Sequence, residues 1–292
     1  MPRYPFPIPY GWFQACWPED VPSDGAYEFP AVGRELAVVR TGEGFEVRDQ
    51  TGSRTYPTIE RNGLVMFWYH PAEAPPSYEI PELVEFSGAS GYSDPVRRFT
   101  PKIDALWQEL GETAADVAHI QQHLAVYGAA SPGTTGRAAP TIVDTSWDGP
   151  HGYLYLSQPF PTPRGAVEGR IDTDSYGPGF SVTWFRGLID TGLIGCNLPL
   201  DENSTAIRFT FVCREQQDSE STSRLATAFM DEIHHLAVED LEIWEHKAYL
   251  ARPCLASTDG PIMAFRRWAS QFYVDDAADR AATPSLVSAA AT

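Results

Sequence analysis

The strongest constraint on the fold is the way strand-like and helix-like periodicities are grouped along the 292 residues. Short β-branched or aromatic segments, separated by Gly, Asp and Pro, occupy 34–40 (RELAVVR), 44–49 (GFEVRD) and 64–69 (LVMFWY). Residues 1–90 therefore read as strand and loop. The spacing then predicts a helix over 101–127, with Pro101 near its start and Gly128 just past its end. Alternation of polar and apolar residues returns at 153–157 (YLYLS), 180–186 (FSVTWFR) and 205–213 (TAIRFTFVC), as in half-buried strands. A polar run at 214–223 leads into a long helix at about 222–247. Strands grouped in blocks, rather than alternating with helices, point to an α+β fold and not a doubly wound sheet. The stretch 71–81 (PAEAPPSYEIP) reads as a domain connector, and the Ala-rich tail after Asp276 is expected to fray.

Composition narrows the partners. The formal net charge is −18, which repels nucleic acid and anionic lipid. No apolar run approaches the length of a bilayer span. The opening MPRYPFPIPYGWF has neither the basic start nor the apolar stretch of a secretory leader. A cytoplasmic protein is expected. Four widely spaced cysteines (Cys16, Cys196, Cys213, Cys254) suggest free thiols rather than a disulfide framework or a zinc site. Aromatic residues make up 12% of the chain, enough either to line an apolar cavity or simply to pack the core.

Chemistry concentrates on two helical segments. Asp116, His119 and His123 fall at i, i+3 and i+7, on one face. His-x-x-x-His can grip one metal, although spacing alone favours a solvated polar face. On the later helix an apolar stripe runs Leu225, Phe229, Ile233, Leu236, then Asp240, then Trp244, which puts Asp240 in phase with the core. A carboxylate there must be paired, cation-bound or protonated, and is a candidate acid, base or ligand. The alternative is a structural ion pair with Arg266 or Arg267. His234 and His235 point in different directions, and at most one can face Asp240's side.

Several stretches together resemble a known family. The run EDLEIWEHKAYLARPCLASTDGPIMAFRRWASQFYVDD (239–276) is similar to the end of ketosteroid 9α-hydroxylases and cholesterol desaturases. PYGWFQACWPEDV (9–21), GRELAVVRTGEG (33–44) and YPTIERNGLVMFWYHP (56–71) resemble the frame of a Rieske domain, and ADVAHIQQH (115–123) resembles the iron-site helix. The resemblance to Rieske-type non-haem iron oxygenases implies a Rieske-like β domain over 1–85 and a helix-grip (START/SRPBCC-like) cavity domain over 86–276. That domain would carry a curved antiparallel sheet under a long helix, with a flexible tail over 277–292. It also implies two departures. GFEVRDQTGSR (44–54) passes directly to YPTIERNG (56–63), where the family inserts its cluster-binding loops, and no cysteine has a histidine two or three residues later. No 2Fe–2S cluster is expected. His119 matches the first histidine ligand of the iron and Asp240 its carboxylate. The second histidine falls at Leu124, leaving His123 about 100° off phase unless a bulge restores it. Asp116 matches the aspartate that links cluster and iron between neighbouring subunits.

These features lead to an expected non-oxidative enzyme that reuses the oxygenase cavity. It would be a cyclase or isomerase, including a 4+2 pericyclase, acting on a hydrophobic polyketide, terpenoid or steroid-like intermediate with no required cofactor. His119 and Asp240 would form the central pair, supported by His123 and Asp116. The alternatives are an Fe(II) oxygenase using His119, His123 and Asp240 with external electrons, or a non-catalytic carrier of apolar ligands or partner protein. A small hydrophobic substrate is the expected partner, and a homo-oligomer (a trimer) is implied by the family. Alternation offers two choices of pocket-facing strand residues and leaves the face open.

Overall fold

The computed structural model describes residues 6, 8–86, 88, 91–121, 140–162, 165–187, 190–215 and 219–274. The N-terminal region forms β1 (Gly11–Cys16), β2 (Ala26–Ala31), β3 (Arg34–Thr41), β4 (Gly44–Asp49), β5 (Thr55–Tyr56), β6 (Thr58–Arg61) and β7 (Leu64–Tyr69). They make two antiparallel sheets, ordered β2-β3-β4-β5 and β1-β7-β6. β1 and β7 are buried at every position, because both of their faces are covered. Phe13, Val65 and Phe67 pack toward Leu36, Val38 and Val47 of the four-stranded sheet. Their neighbours Trp12, Met66 and Trp68 pack the other way, against Val182, Trp184 and Ile194. Each such fully buried side chain contributes roughly 1.5–3 kcal/mol.

The turn from β4 to β5 closes on itself. Asp49 accepts from Ser53 N at 2.8 Å, Ser53 Oγ at 2.7 Å and Thr51 Oγ1 at 2.9 Å. Gly52 holds φ at 69°, a left-handed conformation that only glycine adopts without strain. The hydroxyl and amide donors, led by Ser53, hold the Asp49 carboxyl down at about 2.

The rest of the chain builds a seven-stranded antiparallel sheet. Its strands are β8 (Val96–Ile103), β9 (Thr141–Asp148), β10 (His151–Thr162), β11 (Gly165–Tyr176), β12 (Ser181–Arg186), β13 (Thr191–Pro199) and β14 (Thr205–Cys213). The order is β8-β14-β13-β12-β11-β10-β9. Alternation along β12 splits its side chains. Val182 and Trp184 join the core against β1 and β7, while Ser181, Thr183 and Phe185 face the opposite side. Among the described residues the α-helical segments are α1 (Trp107–Thr113), α2 (described over 117–121), α3 (Ser219–His246) and α4 (Ile262–Ser270). α1 and α4 pack through Trp107, Phe265 and Trp268. No described helix is long and apolar enough to cross a membrane.

The strands expected at 34–40, 44–49, 64–69, 153–157, 180–186 and 205–213 form, as does the long helix at 222–247, here Ser219–His246. The single helix expected over 101–127 does not. Pro101 lies inside β8, an edge strand, where a missing N–H costs no ladder bond on the open side. Helix starts only at Trp107 and breaks after Thr113. The end of that expected helix falls outside the described residues, as does the tail expected to fray.

Candidate active site

Between α3 and the face of the large sheet lies a cavity of about 260 Å³. The sheet supplies Ile171, Phe185, Leu193 and Phe209, and α3 supplies Ile233 and Leu236. Four polar strand residues, Thr173, Ser181, Thr183 and Asn197, also reach it. Strand alternation could not tell which face would line a pocket. Register settles it, since β13 turns Leu193, Gly195 and Asn197 to the cavity while Ile194 and Cys196 enter the core behind.

Asp240 sits on the cavity wall. The stripe of α3 buries Leu236, Asp240 and Trp244 on successive turns, with Asp240 only 4% exposed. Trp244 fixes the helix laterally, donating from Nε1 to Thr113 Oγ1 at 3.1 Å. Across the cavity rim stands His119 on α2, with Nε2 3.1 Å from Asp240 Oδ2. Asp116 starts α2 by accepting the His119 backbone N–H at 3.0 Å, as an N-cap does. The structure thus brings His119 and Asp240 together and makes Asp116 a positioning group. His119 is not part of a solvated face, because its side chain is only 17% exposed. His123 lies outside the described residues.

The expected ion pair of Asp240 with Arg266 or Arg267 does not form. Arg266 turns instead to Glu112 and to the Leu250 carbonyl at 2.6 Å, and Arg267 is exposed on α4. Lys247 bridges Glu109 at 2.9 Å and Glu112 at 3.0 Å. Both carboxylates are buried on α1, and this network locks α1, which supplies Leu110 and Thr113 to the cavity, against the C-terminal segment. Burial raises the Glu109 carboxyl against the pull of Lys247. The sequence signal for this network was available in the i, i+3 acids of α1, but pairing them with Lys247 and Arg266 needed the fold. His235 pairs with Glu239 at 3.3 Å, and neither it nor His234 lines the cavity.

The fit of the family's cofactors can be judged from these donors. Cys16, Cys196 and Cys213 belong to three different apolar clusters, and Cys254 is exposed on a loop. Burial pushes the Cys16 thiol up to about 12 and Cys196 higher still, against thiolate formation. These residues do not fit an iron–sulfur cluster. For a mononuclear iron, His119 and Asp240 would supply two donors. Ligands at right angles about 2.1 Å from a metal lie about 3 Å apart, which their separation matches. Among the described residues no group of three His, Cys, Asp or Glu is placed to hold a metal, and His123, the third donor expected from the sequence, lies outside them. Such an iron, when bound, supplies oxygen activation.

Comparison with known proteins agrees with the fold. Residues 67–273 match the family model of the 3-ketosteroid 9alpha-hydroxylase C-terminal domain. The chain is 27% identical over 239 residues to a 3-ketosteroid-9-alpha-monooxygenase oxygenase component of Rhodococcus rhodochrous, covering 76% of this chain and 60% of that protein. It is 27% identical over 252 residues to cholesterol 7-desaturase of Caenorhabditis elegans, covering 79% and 56%. The chain therefore spans less than two thirds of the length of these relatives. Among solved structures, apo dicamba monooxygenase shares the fold with a TM-score of 0.62 at 15% identity, over 92% of this chain and 98% of that one. Pseudomonas putida CBB5 NdmA, solved with caffeine, has a TM-score of 0.67 at 15% identity over 89% of both chains. By the match over residues 67–273, this chain belongs to the 3-ketosteroid 9alpha-hydroxylase C-terminal domain family.

Proposed function

We propose that this chain is a non-oxidative enzyme, a cyclase or isomerase acting on a hydrophobic polyketide, terpenoid or steroid-like molecule held beneath α3. The observation that carries this reading is the His119–Asp240 pair, a half-buried imidazole against a buried carboxylate, on the wall of an apolar cavity of about 260 Å³. The scaffold would be a truncated Rieske-like β region on a helix-grip cavity domain, with the boundary near residue 85. The named relatives act on 3-ketosteroids and cholesterol, which makes rigid polycyclic substrates a natural class to try first.

In this reading the apolar walls select an extended hydrophobic body and hold one reactive conformer, as positioning alone can lower a barrier substantially. The imidazole Nε2 and the carboxylate Oδ2 stand within hydrogen-bond distance of each other, 3.1 Å apart. The His119 imidazole can take a proton from the substrate and return it at another carbon, while the Asp240 carboxylate stabilises the imidazolium that forms in between. Asp116, by capping α2, keeps His119 in register with Asp240. The five-residue connection 50–54 between β4 and β5 supports the absence of an internal electron supply.

The second reading, an Fe(II) oxygenase on His119, His123 and Asp240, is favoured by one observation, the 3.1 Å separation that suits two adjacent ligands. Product mass separates the two. The purified chain is incubated without oxygen with β,γ-unsaturated ketones of steroid size and with linear polyene ketones. The proposal predicts a product isomeric with its substrate. A product formed only in air, and heavier by one oxygen atom, would overturn it.

A further inference from the structure

We infer that Asn197 recognises a carbonyl or hydroxyl oxygen on the substrate, where the main cavity meets a smaller aromatic chamber. This rests on the reading of the cavity as a substrate site. Asn197 follows Leu193 and Gly195 on the cavity face of β13, and it stays partly accessible although the strand is central in the sheet. The other polar wall groups are satisfied by the protein. Ser181 Oγ donates to the Gly195 carbonyl at 3.1 Å, Thr173 and Thr183 bond each other at 3.1 Å, and Thr113 accepts from Trp244. His119 and Asp240 face each other. Among the described residues that line the cavity, Asn197 is the one polar side chain with no hydrogen-bond partner. An amide held in this way, with donor and acceptor both unused, costs stability unless a ligand or water completes it.

Its position gives the amide a specific task. A second space of about 70 Å³ is walled by Trp107, Phe180, Phe265 and Trp268. It shares Leu110, Ala114, Ser181 and Asn197 with the main cavity, so these four residues stand where the two spaces meet. Gly195 keeps the floor beside the amide open. A Cβ there would come within 3.1 Å of Ser181 Oγ and 3.6 Å of the Phe209 ring. The substrate class that fits has an apolar ring body under α3, one hydrogen-bonding oxygen at Asn197, and a small apolar group beyond it among the aromatic rings. Asn197 then fixes which end of the molecule meets His119 and Asp240.

The test uses two bicyclic probes that differ by one oxygen, decalin and decalone, with dissociation constants measured on the full chain and on Asn197→Leu, a near-isosteric change. Losing one hydrogen bond should weaken decalone about fivefold, while decalin binds equally or more tightly. Asn197→Ala provides the same comparison if the leucine variant does not fold. A shift of both probes by the same factor, no shift in either, or no binding of either probe would overturn the inference. His119→Ala, which tests the catalytic reading, should keep the preference for decalone. Discrimination without any turnover in the wild type would leave this inference standing and remove only the proposed chemistry.

Discussion

At the β4–β5 turn the polar groups are spent on one another, whereas beneath α3 they are held at the edge of open space. In the first region Asp49 takes donors from Thr51 and Ser53, and the turn needs only five residues, 50–54, to reverse the chain. In the second, a helix that could have continued its apolar stripe carries Asp240, and an opposing helical turn meets it with His119. An unfilled apolar space costs roughly 24 cal/mol per Å³, so whatever part of this cavity water does not fill opposes stability. The difference teaches where function resides. A region that closes on itself serves the fold, and a region that keeps volume beside a His–Asp pair is where we propose that a ligand sits.

The comparison can be broken by substitutions on each side. The largest effect is expected at the cavity, where His119→Ala or Asp240→Ala should lower turnover by about 10²–10⁴-fold, the range for removing a general acid or base. Steady-state assay of the two single variants and the double should show strong non-additivity, because the residues act as one unit. An additive pair would separate them and weaken the account. Next comes the clamp behind the cavity. Glu112→Ala takes a shared partner from Lys247 and Arg266, and denaturant unfolding should show a loss of about 3 kcal/mol. A smaller step is Trp244→Phe, which keeps the ring packing but removes the bond to Thr113. It should cost about 1 kcal/mol by the same measurement.

The smallest expected effect tests the closed region. The Asp49 carboxyl is depressed from its ordinary value to about 2 in the folded chain. Its stabilisation is therefore fully present above the unfolded value and is lost as pH falls from about 4 toward 2. Asp49→Asn should flatten that part of the stability–pH curve and leave turnover unchanged. A change in turnover would mean that this turn communicates with the cavity.

Much of this contrast was legible in the residues. The strand-like segments gave at least one strand in each of the three sheets, and the stripe through Ile233, Leu236, Asp240 and Trp244 located the one buried carboxylate of α3. The contracted run between β4 and β6 was visible as a direct passage from GFEVRDQTGSR to YPTIERNG. Other features were hidden for physical reasons. β8 carries Pro101 and β9 is largely exposed, so neither shows the alternation of a half-buried strand. The break between α1 and α2 is set by the Asp116 cap, which competes with helix continuation through its side chain. Asn197 could not be assigned to the cavity before the register of β13 was known, since a slip of one residue would turn it into the core.

The central claim is that the cavity works through its own His119–Asp240 pair, with no requirement for iron. The most direct measurement is an iron titration of chelator-stripped protein, with turnover and bound metal followed together. The account predicts full activity before any iron is added, unchanged as iron is supplied. Activity that is absent in the stripped protein, and that rises in proportion to one Fe(II) bound per chain, would contradict it.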